Sequence, residues 1–325
     1  MYGNRSSNPI KSVLVMHEKA SELRSFFDQH LSKIDVYYVD KPGKVKAALE
    51  GVNPDAVFAI HQPSLSGSIH REAALYPSVR WFHVGGSGVD QLLPWPGDDT
   101  VITNCAGVLA KHLAETVAGG MLALNNFLPD YFQQQQRKLW RAKSFRPLCE
   151  QTLLIVGLGA IGGYVADLAK ALGMRVIATR RSNTSHPGVD QLFKAEQLSD
   201  IIGKADYVSL HLRLDDETHH LFDQAMLSRM KPGARIINTA RGGIVDQQAL
   251  IHSLKTNHIA AAFLDVFEQE PLSVNSPLWE MSNVIITPHC ADNTIGYATK
   301  FAELFCSNLA RWNAGASLHN QLSLD

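Results

Sequence analysis

Residues 152–162 read TLLIVGLGAIG, with glycines spaced to seat a phosphate. Gly157 permits a tight turn after a buried apolar run. Gly159 lets the backbone approach a pyrophosphate, and Gly162 lets the following helix pack on the strand. With Ala160 and Ile161 these glycines open the helical stretch GGYVADLAKALG, whose N-terminal N–H groups would face the phosphates. A bare GxGxxG is a weak signal, but here strand, turn, helix and next strand stand in register. That next strand, MRVIAT, ends about twenty residues on, where an NAD-binding chain would place an acidic residue against the ribose 2′-OH. This chain has Thr179, Arg180, Arg181 and Ser182 instead. Two guanidiniums and two hydroxyls suit a 2′-phosphate, because a fork of N–H donors pairs with phosphate oxygens in a bidentate way. NADP is therefore the favoured cofactor and NAD the alternative, although a solvated surface pair of arginines would read the same way.

The elements that must position this turn alternate along the chain. From Ser12 the runs SVLVM, DVYYV, DAVFAI, RWFHV and VITN are β-rich and separated by helical patterns or by loops rich in Gly, Pro and Asp. After the polar stretch QQQQRK the alternation restarts with TLLIV, MRVIAT, DYVSLHL, ARIIN, IAAAFLDV and NVIITP. This pattern predicts βαβ units around parallel sheets. The expected fold is α/β with two domains: a Rossmann-type doubly wound parallel sheet and a smaller flavodoxin-like parallel α/β domain. Residues 1–103 plus 292–325 are expected to form the substrate domain and 104–291 the dinucleotide-binding domain. Between them a long apolar helix is predicted from about Val108 to Leu128, in which Gly119 and Gly120 suggest close packing. The segment after Asp292 is predicted to be helical and to pack back on the first domain.

At 325 residues the chain is too long for one ordinary core. Its 45% apolar and 19% charged residues give the balance of a globular protein. Thirty Lys and Arg against 31 Asp and Glu leave no positive excess to recommend nucleic acid or an anionic membrane, so a small-molecule partner fits better. Cys105, Cys149, Cys290 and Cys306 are scattered, with no C-x-x-C pair, which argues against a disulfide framework or a zinc ribbon. Fourteen histidines without an H-x-x-x-H spacing give no case for a metal. The first ten residues have no apolar leader region, and no run reaches ~18 uncharged apolar residues. A cytoplasmic location is expected.

Three later segments carry further chemistry: NTARGGIVD (238–246), LDVFEQEPL (264–272) and TPHCAD (287–292). Together with the VGGSGVD loop (84–90), TNCAG (103–107) and GLGAIG, in this order and spacing, the chain resembles the D-isomer-specific 2-hydroxyacid dehydrogenase family, in its glyoxylate/hydroxypyruvate reductase-like branch. The resemblance covers nearly the whole chain. It implies a substrate domain made from both chain ends, an active site in the cleft, and a homodimer. It implies that Arg241 binds the carboxylate of a small 2-oxo acid, a task suited to a permanently charged planar donor. His289 would give the proton as a hydride reaches carbon, and Glu270 would hold the ring and raise its pKa. Gly86, Ser87 and Gly88 would offer backbone N–H groups to the same carboxylate. Leu212, Thr239, Ala240, Asp265 and His289 are implied as cofactor contacts, with Asp265 near the nicotinamide carboxamide.

Singly, each of these residues has an ordinary structural reading: a salt bridge for Arg241, a turn residue for Glu270, a packed loop histidine for His289, a helix cap for Asp265. Two positions depart from the family. Arg213 stands where proline is usual, and is read as a third cationic contact to a 2′-phosphate or as a solvent-facing side chain. Glu150 or Gln151 replaces a glycine before the Rossmann strand, for which only a local loop change is expected. His61, His83, Trp279 and Cys290 are weaker candidates. The competing functions are an NAD(P)-sensing regulatory protein of the same fold and a phosphite- or formate-type dehydrogenase.

Overall fold

The computed structural model describes residues 8–62, 64–65, 67–93, 95 and 100–322. The loop reading at Pro94 and 96–99, the leader-free start through Ser7, and the last three residues concern positions outside that set. The chain divides into two compact units, one of residues 1–109 with 294–325, the other of 110–293.

The first unit is built on strands β1 (Ser12–Met16), β2 (Asp35–Val39), β3 (Ala56–Ile60), β4 (Trp81–Gly85) and β5 (Val101–Asn104), joined by helices α1 (Ala20–His30), α2 (Val45–Val52) and α3 (Ser68–Ala74). The sheet is parallel in the order β2-β1-β3-β4-β5, which is the flavodoxin-like arrangement the alternation predicts. Every residue of β3 and β4 is buried, as expected of central strands covered on both faces, whereas edge strand β2 alternates. The C-terminal helix α10 (Tyr297–Asn313) returns to this unit, as its sequence predicts. Its buried face stacks Phe305 on Trp81 at 4.6 Å between ring centres, and Trp312 stacks on the same indole at 5.9 Å. His83 belongs to this core: it is fully buried and its Nδ1 lies 2.6 Å from the Thr103 hydroxyl. Burial pushes its pKa down to about 3, so it stays neutral.

The second unit opens with α4 (Ala110–Asn125) and α5 (Leu128–Gln136) and continues with β6 (Thr152–Val156), α6 (Ala160–Ala171), β7 (Arg175–Arg180), β8 (Gln191–Lys194), α7 (Leu198–Ile201), β9 (Tyr207–Leu210), α8 (Gln224–Arg229), β10 (Ala234–Asn238), α9 (Gln247–Lys255), β11 (Ile259–Leu264) and β12 (Val284–Ile286). Its seven strands are parallel, ordered β12-β11-β10-β9-β6-β7-β8. This is the doubly wound order, and the direction of winding reverses at β6.

Three details differ from the sequence reading. The helix expected from about Val108 to Leu128 is α4, and a second helix not expected from the sequence, α5, follows it after Phe127 at a left-handed φ of 55°, completed by the polar QQQQ tract. Only Gly120 is a packing glycine: a Cβ there would lie 2.6 Å from the Phe263 ring on β11, while one on Gly119 would meet nothing within 4 Å. The change at Gln151 is more than a loop adjustment. Its buried amide donates to Asn125 Oδ1 (2.9 Å) and to the Arg146 carbonyl (2.7 Å), tying the end of α4 to the start of β6.

Candidate active site

In a doubly wound sheet, ligands lie beyond the C-terminal strand ends at the reversal of strand order, here the end of β6. The chain turns there through Gly157 at φ +97°, and a Cβ on it would stand 2.6 Å from the His211 carbonyl oxygen. A Cβ on Gly162 would stand 2.7 Å from the Gly157 carbonyl oxygen, so α6 presses on the turn. Above Gly159, by contrast, nothing lies within 4 Å of an added Cβ. The first N–H groups of α6, at Ala160 and Ile161, have no partner among the described residues, as at any helix start. Farther along the same edge the Thr239 hydroxyl is buried without a partner among the described residues, an arrangement that normally marks a missing donor or acceptor. An open cradle of N–H groups and an orphaned hydroxyl on one sheet edge fit a bound dinucleotide.

The loops after β10, β11 and β12 leave that same edge side by side, because Asn238 pairs with Leu264 and Leu264 with Ile286. They carry Arg241, Glu270 and His289 respectively. His289 Nδ1 lies 2.7 Å from Glu270 Oε2, and Glu270 Oε1 accepts the Phe267 N–H at 3.0 Å. The Glu270 hydrogen bond and charge hold His289 above its ordinary pKa, against burial and the nearby Arg241. For Glu270, burial alone would raise the carboxyl. It is outweighed by the His289 and Phe267 hydrogen bonds and by the His289 and Arg241 charges, and the group stays below its usual range. With Nδ1 bonded, Nε2 is the ring nitrogen left to face a ligand.

His289 sits at φ +48°, a left-handed conformation uncommon outside glycine and asparagine. Asp265 holds it there. The Asp265 carbonyl accepts the His289 N–H at 2.8 Å, and its buried carboxylate accepts the Thr287 hydroxyl and the N–H groups of Cys290 and Ala291 at 2.5–3.0 Å. Arg241 follows a turn wrapped by the buried Asn238, which accepts from the Ala240 N–H (3.0 Å) and donates to the Arg241 carbonyl (2.9 Å). The arrangement can anchor an anion at Arg241 and deliver a proton from His289.

Residues 118–291 match the model of the D-isomer specific 2-hydroxyacid dehydrogenase NAD-binding domain. A glyoxylate reductase of Korarchaeum cryptofilum is 30% identical over 315 residues, 93% of either chain. The chain belongs to the D-isomer specific 2-hydroxyacid dehydrogenase family. Among solved structures, a family member from Aeromonas salmonicida superposes with a TM-score of 0.87 at 30% identity, covering 97% of this chain and 99% of that one. A Xanthobacter autotrophicus dehydrogenase in complex with NADPH and MES gives 0.80 at 26%, covering 97% and 98%.

As an NAD(P)-dependent member of that family, the protein presents its sequence-singled residues unevenly. Thr179 is buried in β7, Arg180 donates to the Thr184 carbonyl at 3.2 Å, and the Ser182 hydroxyl lies 3.4 Å from that of Thr184. Arg181 is paired with Glu217 and Asp215. The Leu212 side chain sits under the glycine turn, and Arg213 is exposed, with no side-chain partner among the described residues. In the first unit, Gly86 spends its N–H on the Val84 carbonyl, leaving Ser87 and Gly88 as the donors without partners among the described residues. Trp279 is half-exposed and donates to the Ser273 carbonyl, and burial and nearby acidic groups hold the Cys290 thiol above its ordinary pKa. Sequence reasoning passed over Asn238, Gly242 and Glu268, which shape the loops that carry Arg241 and Glu270.

The raised His289 fixes the sign of the pH dependence. With His289 as the proton donor for reduction of a 2-oxo acid, the reading proposed below, kcat/KM for reduction should fall as pH rises through that pKa, whereas oxidation of the hydroxy acid should fall as pH drops through it. Glu270→Gln removes the carboxylate charge and leaves at most a neutral amide acceptor at Nδ1, so burial and Arg241 lower the His289 pKa against weaker opposition. The alkaline limb of the reduction profile should then move to lower pH. An unchanged limb in kcat/KM against pH would show that Glu270 does not tune the proton donor.

Proposed function

We propose that this protein reduces a small 2-oxo acid, such as glyoxylate or hydroxypyruvate, to the D-2-hydroxy acid with NADPH in preference to NADH. The observation that carries the reading is the 2.7 Å His289–Glu270 pair beside Arg241, on the strand edge that bears the glycine turn. NADPH, when bound, supplies the hydride to the carbonyl carbon. Arg241 binds the substrate carboxylate and polarises the adjoining carbonyl, with the Ser87 and Gly88 N–H groups as further donors to the carboxylate. Glu270 compensates the His289 imidazolium; Nε2 gives its proton to the carbonyl oxygen as negative charge develops there, and the neutral ring then takes up a proton from water.

At the cofactor's far end, Arg180 and Arg181 are cations where an NAD-specific chain would carry a carboxylate, and Arg213, after β9, adds a third positive charge, which supports the NADPH preference. The proposal extends to a homodimer, the assembly that the family resemblance implies, and to a cytoplasmic location, which the scattered cysteines favour. The test is NADPH and NADH oxidation with glyoxylate, hydroxypyruvate and bulkier 2-oxo acids. Turnover should be fastest with a small acid and NADPH. Tight dinucleotide binding without turnover of any 2-oxo acid would instead favour a sensor.

A further inference from the structure

The ends of β7 and β9 flank that of β6, so the loops that follow them form the two walls above the glycine turn. One ion pair joins these walls. Arg181, just past β7, has Nη2 2.8 Å from Glu217 Oε2 and 3.6 Å from Asp215 Oδ2, both in the turn after β9. The two acids are held differently. Asp215 is locked, because its Oδ1 accepts both the N–H (3.0 Å) and the hydroxyl (2.9 Å) of the buried Thr218. Glu217 is 81% exposed, and Arg181 is its sole partner among the described residues. Arg180 and Arg213 make no such pair.

We propose that Glu217 is a selectivity residue for the dinucleotide: its carboxylate takes up the Arg181 guanidinium as a phosphate would, and a 2′-phosphate has to displace it. The inference rests on the NADPH reading above. Carboxylate and phosphate compete for the same fork of donors, so Arg181 cannot serve both fully. NADH carries a hydroxyl at that position and leaves the pair intact. Displacement is feasible because an exposed ion pair is weak, and Glu217 has nothing else to hold it in place. The locked Asp215 stays behind as a fixed negative charge that opposes the incoming dianion, most strongly at low salt. The chain thus carries the cations for a 2′-phosphate together with an acid that moderates their preference.

The dissociation constants of NADPH and NADH, measured by direct titration of the purified protein, decide the matter for wild type, Glu217→Gln, Arg181→Gln and the double variant. Glu217→Gln should tighten NADPH roughly two- to fivefold, the range for an exposed ion pair, and leave NADH nearly unchanged. The gain should vanish when Arg181→Gln is added and shrink at high ionic strength. An unchanged NADPH constant in Glu217→Gln, or an equal shift for both dinucleotides, overturns the proposal. Arg180→Asp separates this failure from that of the cofactor reading. If Arg180→Asp weakens NADPH while Glu217→Gln changes nothing, only the role of Glu217 falls. If wild type prefers NADH and Arg180→Asp affects neither dinucleotide, the NADPH reading fails and takes the proposal with it.

Discussion

Replacing His289 should lower kcat for 2-oxo acid reduction by ~10²–10⁴-fold, the contribution of a positioned general acid. The backbone at this position dictates which variant tests the chemistry cleanly. At φ +48°, alanine pays the left-handed penalty of about 1 kcal/mol, whereas asparagine tolerates that region. His289→Asn should therefore keep its loop, its Asp265 clamp and its thermal midpoint while losing the proton donor. His289→Ala should lose activity to the same degree and also some stability. If His289→Asn kept a large share of wild-type kcat, the proton would have to come from another group. Water is a poor substitute, since a neutral donor cannot match an imidazolium whose pKa its carboxylate partner has raised.

The sequence made the strands legible for a physical reason. Central parallel strands are buried on both faces, so β3 is an unbroken apolar run between turn signals, and β4, β6 and β9 are apolar runs with one polar residue each, His83, Thr152 and Ser209. The edge strand β8, QLFK, lacks that constraint and was missed. Helix α5 was missed because a glutamine tract carries no apolar stripe. At the site, Arg241, Glu270 and His289 were legible because the order and spacing of their segments match the pattern of the family the chain resembles. What each neighbour does was not readable. Asp265 was expected to reach toward the cofactor, but its carboxylate is buried and given to the His289 loop, through bonds to residues 22 to 26 positions away. Arg181 looked like an unencumbered phosphate ligand because its partner Glu217 lies 36 positions on, beyond any local pattern.

Gly242 is the position where a single methyl group should do the most structural damage. A Cβ there would fall 1.9 Å from the carbonyl carbon of Phe267, 2.0 Å from its oxygen and 2.4 Å from the Glu268 nitrogen. All three are backbone atoms, so no rotamer change relieves the clash. The opposing segment cannot retreat freely either: the Phe267 N–H is bonded to Glu270, and the Glu268 carboxylate accepts from the Gln247 N–H and lies 2.8 Å from His220 Nε2. Gly242→Ala should cost about 2–4 kcal/mol, at or above the upper range for overpacking. What folds should also lose activity, on the order of 10²-fold in kcat/KM, because parting the two loops moves Arg241 away from Glu270 and His289 by something near an ångström. Gly243→Ala is the control. Its Cβ would meet side chains alone, Leu214 at 3.1 Å, which can turn aside, and the His219 ring at an ordinary 3.7 Å, so stability and kcat/KM should stay near wild type. Equal behaviour of the two variants in denaturant titrations and kinetics would mean that the close approach of the Arg241 turn to the Glu270 loop is not what sets the site.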